Sequence, residues 1–194
     1  MRRKFAGLLG AAVITVAVSL AGTIEVRADS DDTGSRAAEK LPTPQHGVLA
    51  PFAGGWKGKG VLRRSGKSEN EVVRCQLKST LIFDKRFLFQ DGKCSAVGRT
   101  VSFLVTLAYD KIADKFTGSW INSINLGIWG MNGDRDDQNL SYKVVHDDPD
   151  GIKKIESTMT MTWLDKNQYR LVMTSADVET GEEFERSNIV FKRM

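Results

Sequence analysis

Apolar and polar residues alternate with a period of two over most of the chain beyond residue 48, the spacing of strands with one buried and one wet face. The longest run places Ile155, Ser157, Met159, Met161 and Trp163 on one side and Glu156, Thr158, Thr160 and Thr162 on the other. Tyr169, Leu171 and Met173 alternate in the same way with Arg170, Val172 and Thr174, and Val101, Phe103, Val105 and Leu107 alternate with Ser102, Leu104 and Thr106. Turn residues interrupt the pattern at Ser65-Gly66-Lys67, Asp84-Lys85, 110–114, Asn132-Gly133-Asp134, 147–151, Asp165-Lys166-Asn167 and Thr180-Gly181. Between them fit 8–10 short strands, and the longest helical feature is a single turn at Leu49 to Phe52. Many short neighbouring strands joined by tight turns lose their exposed edges by closing on one another, so the pattern predicts an all-β, up-and-down antiparallel barrel.

The two cysteines, Cys75 and Cys94, lie in the strand-like runs Glu71 to Phe83 and Arg86 to Cys94. A hairpin turning at Asp84-Lys85 sets opposite each other residues whose numbers sum to 169, such as Leu81 and Leu88, and 75 and 94 have the same sum. The register therefore permits a cross-strand disulfide. A redox pair is disfavoured because the spacing is not Cys-x-x-Cys.

The N-terminus opens with Arg2, Arg3 and Lys4 and continues in an apolar stretch from Phe5 to about Leu20, the layout of a secretory signal. Small-x-small sites end at Ala21 and Ala28, and cleavage after Ala28 is preferred because an Asp-Ser-Asp-Asp run follows it. Residues 1–28 thus read as a signal peptide, 29–47 as a flexible polar spacer and 48–194 as the folded domain. The expected location is periplasmic or secreted, which also suits a disulfide. The apolar run is short for a bilayer, and the mature form is expected not to span a membrane. Cleavage removes Arg2, Arg3, Lys4, Arg27 and Glu25, so Lys+Arg falls from 28 to 24 and Asp+Glu from 24 to 23, leaving about +1. A nearly neutral surface offers no case for nucleic acid, which requires a concentrated basic patch.

Gly54-Gly55-Trp56-Lys57-Gly58-Lys59-Gly60 resembles the opening strand of lipocalin-like (calycin) barrels, in particular a bacterial family of uncharacterised proteins beginning Gly-x-Trp-x-Gly-x-Gly. The resemblance extends through Arg86-Phe87-Leu88 and Ala108-Tyr109-Asp110 to Phe116-Thr117-Gly118-Ser119-Trp120. It implies a structural role for Trp56 at the closed end of the barrel, packed beneath an arginine of the last strand, either Arg186 or Arg193.

Chemistry-bearing residues are sparse. His46 falls in the spacer, and His146 opens His-Asp-Asp-Pro-Asp-Gly, which reads as a polar hairpin turn. Haem, held through a histidine in some ten-stranded relatives of this barrel, is not expected, nor is any other cofactor. Asp134, Asp136 and Asp137, and the acidic run Glu182, Glu183 and Glu185, lack the spacing of a metal loop, so no metal site is expected. With one imidazole in the domain, no Ser-His-acid set can be nominated, and the expectation is a protein that is not an enzyme. What remains is an inward set of Phe87, Phe103, Trp120, Trp129, Met159, Met161, Trp163, Tyr169 and Met173, with Phe89 and Met131 beside them. A barrel with room among these side chains takes a small hydrophobic or amphipathic ligand. The alternative is a filled barrel acting through an exposed apolar patch at Trp129 and Met131.

Overall fold

The computed structural model describes residues 43–124, 127–136, 139–147 and 154–194. The expected signal segment, the spacer as far as residue 42 and positions 148–151 of the turn expected at 147–151 lie outside them. Ten strands follow in chain order: β1 (Gly54–Leu62), β2 (Glu71–Ile82), β3 (Phe87–Ala96), β4 (Arg99–Asp110), β5 (Lys115–Asn122), β6 (Trp129–Asp136), β7 (Asn139–Asp147), β8 (Lys154–Asp165), β9 (Gln168–Ala176) and β10 (Glu183–Arg193). Each pairs antiparallel with its chain neighbours, and β1 closes on β10. The period of two is the reason: along β7, for example, Leu140, Tyr142, Val144 and His146 are all buried, while Lys143 and Val145 between the last three are exposed. In β2 and β3 the predicted register holds, with Leu81 opposite Leu88 and Cys75 opposite Cys94, and the two cysteines form a disulfide.

Two local expectations are corrected. Asn132-Gly133-Asp134 is not a turn but the middle of β6, where Gly133 lies against the carbonyl of Ser141 on β7. Phe87 points outward, because Leu88 and Gln90 take the inward positions of β3 and Phe83, on the preceding turn, packs edge-on against the Phe87 ring at 5.9 Å.

One end of the barrel is sealed by a short 3₁₀ helix, His46–Phe52, which takes in two residues that composition assigned to the spacer. Leu49 and Phe52 of this plug are buried, and Phe52 packs on Trp163 at 4.5 Å and Tyr169 at 5.2 Å. Trp56, fully buried on β1, donates from Nε1 to the Phe52 carbonyl at 2.8 Å. Of the two arginines weighed from sequence, Arg193 covers it, with its guanidinium carbon 4.3 Å from the ring centre. The Nη1 and Nη2 groups of Arg193 donate to the carbonyls of Ala53 and Pro51 at 2.7 Å each, tying the last strand to the plug. Gly54 permits this approach: its φ of +125° excludes most side chains, and a Cβ there would meet Arg193 Nη1 at 2.6 Å. Among the described residues, no helix is long and apolar enough to cross a membrane.

Candidate functional site

Between the plug and the opposite rim lies a cavity of about 290 Å³. By the volume one water takes up in the liquid, roughly 30 Å³, it has room for about ten small groups. Its deep wall is apolar, formed by Leu77, Val105, Met161, Tyr169, Leu171 and Phe191 among others. Ile124, just beyond β5, lines it while being 53% exposed, so the cavity reaches the surface at the rim away from the plug.

Of the nine residues nominated from sequence, Phe103, Trp120, Trp129, Met159, Met161, Tyr169 and Met173 line this lumen. Phe87 does not, for the reason given above, and neither does Trp163, which is committed to the plug. Met131 is buried in the wall, so no exposed Trp129–Met131 patch exists.

Sequence reasoning passed over the polar side of the lumen. Towards the rim, a band of contacts crosses seven consecutive strands. Its first half is aromatic: Phe103 on β4 meets Trp120 on β5 at 6.0 Å, Trp120 meets Trp129 on β6 at 5.5 Å, and Trp129 stacks near His146 on β7 at 4.7 Å. From His146 onward the band is polar. His146 Nε2 lies 2.7 Å from Ser157 Oγ on β8, and Ser157 Oγ lies 2.6 Å from Ser175 Oγ on β9. Arg186 of β10 donates from Nε to Ser175 Oγ at 3.0 Å. His146, Ser157 and Ser175 are each 2% exposed, so this is a buried polar network.

Donor counting fixes one end of the chain: arginine only donates, so Ser175 accepts from Arg186, which leaves the Ser175 proton free to pass to Ser157 and the Ser157 proton to His146 Nε2 when that nitrogen is the unprotonated one. A relay in which each hydroxyl accepts once and donates once is mutually polarised and stiff. Ser157 and Ser175 stand behind the cavity wall, whereas His146 and Arg186 line the cavity itself.

Arg186 reaches the lumen because of a bulge. The register between β9 and β10 shifts between Glu185 and Ser187, so Arg186 is the extra residue and turns inward between Phe184 and Ser187. Its guanidinium sits 5.5 Å from the Phe184 ring centre, and burial pulls it below its ordinary pKa while Asp177 opposes the shift. Asp177 is itself occupied, accepting from the backbone N–H groups of Gly66, Glu179 and Thr180. Three further polar side chains, Gln90, Asn122 and Ser187, line the cavity, with Gln90 Nε2 donating to Ser79 Oγ at 2.9 Å and Asn122 Oδ1 accepting from Ile124 N at 3.0 Å. The indole N–H groups of Trp120 and Trp129 are buried without an acceptor among the described residues.

A pattern within the sequence pointed to His146: extending the inward row Leu140, Tyr142, Val144 by one step reaches it. Reading it as a turn residue was wrong, since it lies in β7 opposite Ile155.

A family model described as "Protein of unknown function (DUF1579)" matches residues 41–193. The chain belongs to this family. No significant sequence match to this DUF1579 chain is found among curated proteins. Among solved structures, the DUF1579 barrel is similar to the S-type phycobiliprotein lyase from Guillardia theta, with a TM-score of 0.55 and 9% identity over 82% of this chain and 97% of that one. It is also similar to Rv2717c from M. tuberculosis, with a TM-score of 0.56 and 12% identity over 79% of this chain and 99% of that one. These likenesses are of fold, and they place the DUF1579 barrel in the lipocalin-like class. The lyase corrects one expectation. An enzyme stands among the structural neighbours, so the lack of a familiar catalytic motif was no ground for reading the DUF1579 chain as a non-enzyme.

Proposed function

We propose that this protein is an exported barrel that holds one small hydrophobic or amphipathic molecule in its lumen. The observation that carries the reading is the cavity: an apolar wall, a sealed base and a rim where the lining reaches the surface. Met159, Met161 and Met173 in that wall are adaptable side chains suited to an apolar guest. The aromatic half of the band adds flat, rigid surfaces, and the two indole donors without acceptors mark a wall whose polar capacity is not used by the protein. Export is supported by the charged-then-apolar N-terminus and by the Cys75–Cys94 disulfide.

The test uses the neutral dye N-phenyl-1-naphthylamine, whose emission rises in apolar surroundings. Saturable binding of one dye per chain, abolished when Leu171→Trp fills the lumen, is the expected result. A well-folded chain that leaves the emission unchanged would refute the reading. Intact mass of the protein recovered from the periplasm checks export, with loss of residues 1–28 expected.

A further inference from the structure

The lumen is apolar at depth and carries one guanidinium near its rim. Arg186 has five N–H donors, of which Nε is used on Ser175; among the described residues, the four Nη protons meet no acceptor, and no carboxylate lies within ion-pair distance. A partly buried guanidinium with no carboxylate in contact, helped only by the Phe184 ring and by Asp177 at longer range, is expensive to keep, while the neighbouring inward positions Phe184, Ser187 and Ile189 pack without charge. The bulge nevertheless turns it inward, and the relay from His146 fixes its Nε edge, leaving the Nη edge directed by that constraint. The acid whose charge acts on it, Asp177, is satisfied by three backbone donors, while Glu182, Glu183 and Glu185 are exposed on the outer hairpin.

We infer that Arg186 receives the carboxylate of an alkyl-chain acid whose tail lies in the methionine-rich depth of the lumen, which deepens the proposed function and rests on it. Two parallel N–H···O bonds from a planar guanidinium match a carboxylate, and the rim position lets the charged head stay near water while the tail is buried. The volume of about 290 Å³ suits a chain of medium length.

Decanoate and 1-decanol separate the head from the tail. Each is titrated against bound N-phenyl-1-naphthylamine on the wild-type chain and on Arg186→Met, with near-UV circular dichroism checking the fold. Decanoate is expected to displace dye at concentrations about tenfold or more below decanol on the wild type, consistent with a charged, bidentate contact. Arg186→Met is expected to erase that preference and leave decanol within about twofold of its wild-type value. Should Arg186→Met misfold, Arg186→Lys is the substitute and must weaken decanoate more than decanol. Equal displacement by acid and alcohol on the wild type overturns the assignment of the head while the lumen reading stands. Dye binding with displacement by neither compound also overturns the inference. Failure of the dye itself to bind removes the lumen reading and the inference together.

Discussion

Tyr142→Phe is expected to stabilise the protein, the reverse of what deleting a buried polar group usually brings. Tyr142 is fully buried in β7, and its hydroxyl has no hydrogen-bond partner among the described residues. In the unfolded chain that hydroxyl is hydrated, so folding strips it without compensation, at roughly 1–3 kcal/mol. Removing the oxygen leaves a void on the order of 10–15 Å³, which costs about 0.3 kcal/mol at the usual cavity coefficient. The net gain is about 1 kcal/mol, or a rise in Tm of roughly 2–4 °C for a domain of this size. Urea unfolding of both proteins is the assay, with the midpoint rising and the slope unchanged. The same burial pushes the Tyr142 phenol far above its ordinary value of 10.0. An unfolded chain therefore ionises first as pH rises past that value, and stability falls there; the Tyr142→Phe variant, with no proton to lose at this position, is spared that part of the fall. A variant less stable than wild type by about 1 kcal/mol or more would refute the reasoning, because it would mean that the native hydroxyl is bonded.

Other consequences follow from the same structure. Reducing the Cys75–Cys94 bond, which closes a loop with a sequence separation of 19, should cost about 3 kcal/mol and lower Tm by roughly 6–12 °C, with no effect of reductant on the Cys75→Ala/Cys94→Ala variant; equal melting of oxidised and reduced wild type would count against it. Gly133→Ala brings a Cβ within 2.1 Å of the Ser141 carbonyl and should destabilise by roughly 1–3 kcal/mol or more, whereas Gly130→Ala on the same strand meets nothing within 4 Å and should stay within about 0.5 kcal/mol in the same urea assay. His46 accepts from Thr43 N at its Nδ1, and burial followed by Arg86 lowers its pKa from 6.5; the unfolded chain takes the proton first, so stability should fall as pH drops below that value, and less steeply in His46→Gln when Tm is followed from pH 7 to 5.

The barrel was legible because each inward row repeats strictly, as in Ile155 to Trp163, and because one hairpin register could be computed from its turn. Five lumen residues, Phe103, Met159, Met161, Tyr169 and Met173, lay on those rows, while Trp120 and Trp129 were nominated without one. Phe87 does not line the lumen: apolar character alone suggested the inward face, and the phase set by Leu88 decided otherwise. Trp163 continues an inward row correctly but meets the plug, a contact with residues over a hundred positions earlier that no local pattern displays. Arg186 was hidden by a different cause: Phe184 and Ser187 stand three apart, so a reader counting in twos turns Arg186 inward only by also turning Ser187 out. Of the relay, Ser157 alone was on a recognised inward row, and its partners come from three other strands.

The plug at Leu49 and Phe52 makes the lumen a dead end, and that constrains kinetics as well as geometry. A guest of the proposed kind would leave by the route it came in, so its arrival and departure would cross one common barrier. By detailed balance, altering a rim side chain outside the cavity lining, such as Ile128 at 71% exposure, would change both rates by the same factor. Residence time can thus be tuned at the rim while affinity stays fixed by the wall below it.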